Sequence, residues 1–162
     1  MPLIGLISDT HGLLRPEALA GLAGCDHILH AGDIGAPEVL ERLAGVAPVT
    51  AVRGNNDIGA WAGTLPEAIT LDLFGLAIHL LHDRAALAID PARVDVVVCG
   101  HSHRPSIRDA GGVLEVNPGS AGPRRFRLPV SIALLAVTAG RGSARLVALD
   151  ASAVAGAPAQ PR

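Results

Sequence analysis

The 162-residue chain carries 13 basic and 15 acidic residues, a formal net charge of −2, with 49% hydrophobic and 17% charged residues. That is a globular rather than a disordered composition, and a chain of this size sustains a core without disulfide staples. Every basic residue is Arg and the aromatics reduce to Trp61, Phe74 and Phe126, so the chain offers neither a broad cationic surface nor the stacking platforms that long nucleic acids require.

The expected organisation is one domain over residues 1–150 followed by an Ala/Pro/Gly-rich, flexible tail at 151–162. Leu3 to Ser8 reads as a short buried strand, and Pro16 to Ala23 as a helix with Pro at its start. His27 to His30 is a second strand, Ala36 to Leu43 a second helix, and Val49 to Val52 a third strand. This β-α-β-α-β opening implies parallel pairing. Ala68 to Leu73 and Leu76 to Leu81 then form an antiparallel hairpin about Gly75. Arg84 to Ile89 is a short helix and Val94 to Cys99 an apolar run. Ser106 to Arg108 and Val113 to Val116 flank the turn Asp109-Ala110-Gly111-Gly112. Val130 to Val137 and Ala144 to Leu149 close the pattern. The result is a mixed α/β sandwich.

No apolar run reaches the ~18 residues of a membrane span. The stretch Leu3 to Ile7 stops at Ser8-Asp9, too soon for a signal peptide. A cytoplasmic protein is expected, with Cys25 and Cys99 as buried free thiols.

Chemistry gathers where the apolar runs end. The first is followed by Asp9-Thr10-His11-Gly12, the second by Gly32-Asp33 and the third by Gly54-Asn55-Asn56-Asp57. Later runs end in His82-Asp83 and Gly100-His101-Ser102-His103. Ligands of open α/β sheets bind beyond the carboxyl ends of the strands, so these tips are expected to converge on one edge of one sheet. Asp9 and His11 are two apart, as are His101 and His103; in extended backbone each pair points one way. Carboxylate, imidazole and amide oxygen are metal-ligand chemistry, and the absence of thiolate disfavours a structural zinc site. Asp9, His11, Asp33, Asn55, His82, His101 and His103 exceed what one divalent ion needs and suit a two-metal site.

These motifs, in this order and with Asn117-Pro118-Gly119-Ser120 behind them, resemble the calcineurin-like metallophosphoesterase superfamily, and the short chain resembles its small bacterial and archaeal phosphodiesterase branch. The resemblance runs from about Leu3 to Leu149. It implies a four-layer α/β/β/α sandwich with mixed sheets and two divalent ions per chain, Mn2+ first, with Fe, Ni or Zn as alternatives. It implies Asp9, His11 and His103 on the first ion, Asn55, His82 and His101 on the second, and Asp33 between them. It further implies a bridging hydroxide that attacks the phosphorus of a small phosphodiester.

Two residues depart from the family pattern. Asn56 follows the ligand Asn where related proteins often place a His able to protonate a leaving group, and a neutral amide cannot do this. Diester cleavage is therefore expected over monoester cleavage, with Asn56 and Asp57 as candidate catalytic residues beside the ions. Asp83 stands where Gly is common; it either holds an imidazole N–H or caps the following helix. Arg53 adjoins the Asn55 loop and either engages a substrate phosphate together with Asn55 or is a solvated strand-end arginine. The Arg124, Arg125 and Arg127 cluster either borders the site or is a solvated face. Trp61 is an anchor for its loop, a pocket cap or an oligomer contact, leaving a homo-oligomer open. His79 reads as structural, His27 as a strand-end residue, and His30 as a core histidine or a support for the ligands. Two other functions compete: a non-catalytic protein-interaction scaffold on the same fold, and a nucleotide-directed phosphodiesterase.

Overall fold

The computed structural model describes residues 1–149; the tail expected at 151–162 lies outside the described residues. Parallel strands β1 (Leu3–Ile7), β2 (His27–His30) and β3 (Val49–Ala51) are connected through helices α1 (Pro16–Leu22) and α2 (Pro37–Ala44). The strand β9 (Ser131–Thr138) adds antiparallel to β1, and β10 (Arg141–Ala148) adds antiparallel to β9, giving the order β10-β9-β1-β2-β3. A second sheet holds β4 (Ala68–Leu73), β5 (Leu76–Leu81), β6 (Val96–Val98), β7 (Ser106–Ala110) and β8 (Val113–Asn117) in the order β4-β5-β6-β8-β7. Its inner strands β5, β6 and β8 are parallel, and each edge strand pairs antiparallel with its hairpin partner.

The local reasons are legible. Both helices start on Pro, whose fixed φ and missing N–H suit the first helical position, and carry Glu17 or Glu38 in the first turn, where a carboxylate meets the positive end of the helix. Each buries an i, i+4 pair, Ala18 with Leu22 and Val39 with Leu43. Alternation in β1 sends Ile7 into the cluster with Leu22 and Leu43, and Ile4 and Leu6 into the cluster with Ile78, Leu80, Val96 and Val98. The first sheet is thus covered by helices on one face and by the second sheet on the other. Each fully buried Leu or Ile there contributes about 1.5–3 kcal/mol. In the β7–β8 turn, Gly111 and Gly112 adopt φ 66° and 94°, the left-handed conformation that hairpin turns favour.

The outer layer over the second sheet differs from the expected helix at Arg84 to Ile89. It consists of two single 3-10 turns, Arg84–Ala86 and Pro91–Arg93. The Asp83 and Asp90 side chains accept from the Ala85 and Ala92 amides, which offers the backbone a local alternative to helix bonds, and Pro91 disfavours the α conformation at the residue before it. Leu87 and Ile89 instead pack on a small cluster of Leu81, Val94, Val97, Cys99 and Val113. The layers accordingly run α/β/β and then this thin, turn-based cover. A single-turn helix α3 (Ala60–Gly63), absent from the sequence reading, carries Trp61, which packs partly buried against the first core as an anchor.

Both cysteines are buried free thiols. Burial pushes Cys99 up to about 11 and also raises Cys25, so both stay protonated. Among the described residues, no helix is long and apolar enough to cross a membrane.

Candidate metal centre

The polar tips do converge, but from two sheets rather than one. Asp9, Asp33 and Asn55 follow β1, β2 and β3 of the first sheet, whereas His82 and His101 follow β5 and β6 of the second. Parallel strands align these carboxyl ends, and two hydrogen bonds tie the edges together. The His82 Nδ1–H donates to the Ala31 carbonyl at 2.8 Å, and the His101 backbone N–H donates to Asp9 Oδ2 at 3.1 Å.

The side chains do not reach the site from extended backbone, as the two-residue spacing suggested. Asp9, His11, Asp33, His101 and His103 all have positive φ, at 56°, 47°, 54°, 70° and 62°. Left-handed backbone at a non-glycine residue costs about 1–3 kcal/mol and persists where the surroundings enforce it. Nor do His101 and His103 act on one face: His103 Nε2 lies 3.2 Å from Asp9 Oδ1, while His101 Nδ1 lies 3.2 Å from Asn55 Oδ1.

Two clusters result. In the first, Asp9, His11 and His103 present ligand atoms within 4.8 Å of one another. Asp9 is fully buried, and its Oδ2 accepts from Ser8 Oγ at 2.6 Å. Asp9 Oδ1 and His11 Nε2, 3.8 Å apart, are buried and have no hydrogen-bond partner among the described residues. Orphaned buried atoms of this kind are costly; a cation between them would satisfy both, so the donor set fits a metal ion.

In the second cluster, Asn55 Oδ1 lies 2.9 Å from His82 Nε2, and His101 Nδ1 lies 3.3 Å from His82 Nε2. Asp33 Oδ2 is 3.3 Å from His82 Nε2 and 3.7 Å from His11 Nε2, which sets this carboxylate between the clusters. Ligands about 2.1 Å from one ion, at right angles, sit about 3 Å apart, and the second cluster has that spacing. Because His82 donates through Nδ1, its neutral form turns an Nε2 lone pair on the oxygens of Asn55 and Asp33. A proton or a metal ion relieves that repulsion. Burial alone would lower the His82 pKa, but Asp33, the Ala31 carbonyl and the Asp9 charge outweigh it and raise it. Asp33 is shifted the opposite way: burial would raise its pKa, yet bonds from His82 and Asn56 hold it well below the carboxylate range. For His103, burial lowers the pKa, and the Arg125 charge adds to this against Asp9.

Asn56 donates its backbone N–H to Asp33 Oδ1 and its side-chain Nδ2–H to Asp33 Oδ2, both at 2.9 Å. Asp57, expected beside Asn56 as catalytic, is buried with its carboxylate on the backbone N–H groups of Ile34, Gly35 and Gly54, at 3.1, 2.9 and 2.8 Å. It therefore clamps the loops after β2 and β3 together. Asp83 caps the 3-10 turn, and its other oxygen faces His101 Nε2 at 3.8 Å, a charge contact too long for the alternative, an imidazole hydrogen bond. Arg53 pairs with Glu67 at 3.1 Å and lines a cavity of about 350 Å3 together with Asn55, His82 and His101. His79 bonds Thr70 and His27 bonds Thr50 across strands, away from the clusters.

Of the supports, the sequence names His30 and the Asn117-Pro118-Gly119-Ser120 element but gives no role to Ser8, Thr10 or Ser102, because a lone Ser or Thr carries no signal. Fully buried His30 accepts from the Gly32 N–H through Nδ1, so its Nε2–H faces Thr10 Oγ1 at 3.0 Å, and Thr10 in turn donates to the Ile34 carbonyl. Asn117 donates to the Gly100 carbonyl and to Ser102, and Ser120 donates to the Asp9 carbonyl. The Asn117-Pro118-Gly119-Ser120 element thus fastens two ligand loops. Gly100 and Gly54 are close-approach positions: a Cβ at Gly100 would collide with Ser8 and Asp9, and one at Gly54 with the backbone N and carboxylate of Asp33.

Two mixed sheets that deliver carboxylate, imidazole and amide donors to a shared edge define a class of α/β proteins built to hold divalent cations. The family model of the calcineurin-like phosphoesterase superfamily domain matches residues 3–140, and the chain belongs to this metal-dependent superfamily. A "probable metallophosphoesterase" of Methanocaldococcus jannaschii is 32% identical over 163 aligned residues, covering 91% of this chain and 82% of that protein. A phosphodiesterase of the same archaeon is 26% identical over 136 residues, covering 72% and 82%. Among solved structures, an archaeal phosphodiesterase matches with a TM-score of 0.75 at 23% identity, covering 90% of this chain and 99% of that one. A single-site variant of Vps29 from Entamoeba histolytica matches with a TM-score of 0.69 at 25% identity, covering 91% and 99%.

Proposed function

We propose that this protein is a cytoplasmic, binuclear metal-dependent phosphoesterase that cleaves small phosphodiesters. The observation that carries the reading is the pair of donor clusters on either side of Asp33, the first of them with three orphaned buried atoms. Asp9, His11 and His103 hold the first ion, Asn55, His82 and His101 the second, and Asp33 serves both. Mn2+ is the first choice, with Fe, Ni and Zn as alternatives of the same ligand preference.

When bound, two such ions supply an acidified water as nucleophile and neutralise charge developing on the phosphoryl oxygens. The protein's part is positioning. Asn56 holds Asp33 by two hydrogen bonds and presents a neutral amide near the site, so it cannot protonate a departing alkoxide. That favours substrates with stable leaving groups; the preference for diesters draws on the likeness to phosphodiesterases. Arg53 and Asn55, on the wall of the 350 Å3 cavity, are placed to meet a phosphate oxygen.

The test is hydrolysis by protein reconstituted with Mn2+. Cleavage of bis(p-nitrophenyl) phosphate in excess of p-nitrophenyl phosphate, with two ions bound per chain, is the expected result. Absence of hydrolysis of either ester overturns the reading. The rival, an interaction scaffold, draws on the likeness to Vps29 and on the exposed Ile58 and Phe126 at 79% and 87%. Fewer than one ion per chain in Mn-replete conditions favours the scaffold.

A further inference from the structure

Beside the candidate metal centre lies a second cavity of about 280 Å3, whose wall shares Asp83 and His101 with the first. Its far side is built on an ion-paired triad. Glu115 of β8 is buried and receives Arg84 from the first 3-10 turn, Nε to Oε1 at 2.8 Å and Nη2 to Oε2 at 3.0 Å. Arg108, its register partner on β7, donates Nε and Nη2 to the same Oε1 at 3.1 and 2.8 Å.

One guanidinium neutralises one carboxylate. The second leaves a formal charge of +1 on the triad, fixed in place by a buried anchor. Arg84 and Arg108 each spend Nε and Nη2 on Glu115, and Nη1 of each has no hydrogen-bond partner among the described residues. Ser102 on the same wall accepts from Asn117 Nδ2 and from the Arg104 N–H, which leaves its own O–H proton to donate. Guanidinium edges and a hydroxyl proton are the donors that suit phosphoryl oxygens. The wall also carries one acid, Asp83, with Oδ1 on the Ala85 N–H and Oδ2 toward His101. The volume falls just below the roughly 300 Å3 of a pocket for a drug-sized molecule, so it suits one substituent rather than a whole ligand.

We propose that the Arg84–Glu115–Arg108 cavity is a subsite for a second phosphoryl group, carried on one arm of the diester cleaved at the neighbouring metal centre. This rests on the phosphodiesterase reading above and narrows its substrate class: a diester with two unlike arms, one bearing a further phosphate. The first cavity, where Arg53 and Asn55 face the scissile phosphate, takes the other arm along Ala68, Leu81 and Ala86.

The matched probes are the p-nitrophenyl diester of thymidylate and the same diester with a second phosphate on its sugar. They share a leaving group, so the ratio of their kcat/KM values in Mn-reconstituted protein reads the subsite alone. A preference of tenfold or more for the doubly phosphorylated probe is expected. It should collapse towards unity in Arg84→Gln and in Arg108→Gln. Equal rates in the wild type overturn the subsite while leaving the phosphodiesterase reading intact; hydrolysis of neither probe overturns that reading instead. Calorimetric binding of thymidine bisphosphate to metal-free protein judges the subsite without catalysis. Binding that Arg84→Gln weakens tenfold supports it, and no binding, or equal binding by the variant, overturns it.

Discussion

Asp83 and His101 meet across the wall between two cavities: Asp83 Oδ2 lies 3.8 Å from His101 Nε2, while Asp83 Oδ1 accepts from the Ala85 N–H at 3.0 Å. His101 turns its other nitrogen, Nδ1, towards Asn55 and His82. A carboxylate hydrogen-bonded behind a ligating imidazole orients the ring and raises its basicity, and its loss typically weakens metal affinity 10–100-fold. At 3.8 Å the Asp83–His101 pair is a charge contact rather than a hydrogen bond, so Asp83→Ala is expected to weaken the second of two Mn2+ binding steps by less than about tenfold and to spare the first. Calorimetric titration of the metal-free protein measures this; equal weakening of both steps would assign Asp83 to turn stability alone.

The Asp57 carboxylate binds three backbone N–H groups from two loops. Hydrogen bonds to charged groups contribute about 1.5–3 kcal/mol each, and orphaned donors add to the loss. Asp57→Ala should destabilise the protein by about 2–4 kcal/mol, measured by urea unfolding. It should also slow diester hydrolysis, because the Asn55-Asn56 turn loses its tie to the Asp33 loop. Unchanged stability would refute the clamp.

Stability should depend on pH through His30. Complete burial, reinforced by His82 and opposed by Asp33, lowers its pKa from 6.5 to about 3. Between those values the unfolded chain takes up a proton that the folded chain refuses, so stability is lost as pH falls from 6.5 towards 3, by up to about 1.4 kcal/mol per pH unit. His82, whose pKa is raised, acts at the other end: its stabilisation is complete below 6.5 and fades as pH rises through its folded value. Metal-free protein unfolded in urea at several pH values measures both limbs, and His30→Gln should flatten the acid limb.

Gly54 has no room for a side chain, because a Cβ there meets the Asp33 backbone rather than a movable side-chain end. Gly54→Ala should displace Asp33, cutting Mn2+ affinity and diester hydrolysis at least tenfold. Gly63→Ala, where nothing lies within 4 Å of the added Cβ, is the control. Equal metal binding by the two variants would show that the loop yields.

How much of this was readable in advance depended on the range of the interaction concerned. Alternating and continuous apolar runs placed β2, β4 and β5 to the residue, because side-chain burial follows a period of two along a strand. The ligand residue types at the strand tips were legible too, since metal chemistry restricts them to a few side chains. The helix expected at Arg84 was lost to Asp83, Asp90 and Pro91, local competitors whose strength depends on what the backbone packs against.

The sequence by itself determined which donors exist and that they end apolar strands. Residue spacing did not say how they group, which only the family resemblance implied; the tertiary structure sets His103 beside Asp9, His101 beside Asn55 and His82, and Asp33 between them. That grouping needs two sheets to meet edge to edge and five non-glycine residues to take left-handed backbone. Spacing along a chain cannot encode either, because the energy that enforces them comes from contacts between distant residues: the Ile34 N–H on Asp57 spans 23 positions, the His101 N–H on Asp9 spans 92, and the Ser120 hydroxyl on the Asp9 carbonyl spans 111.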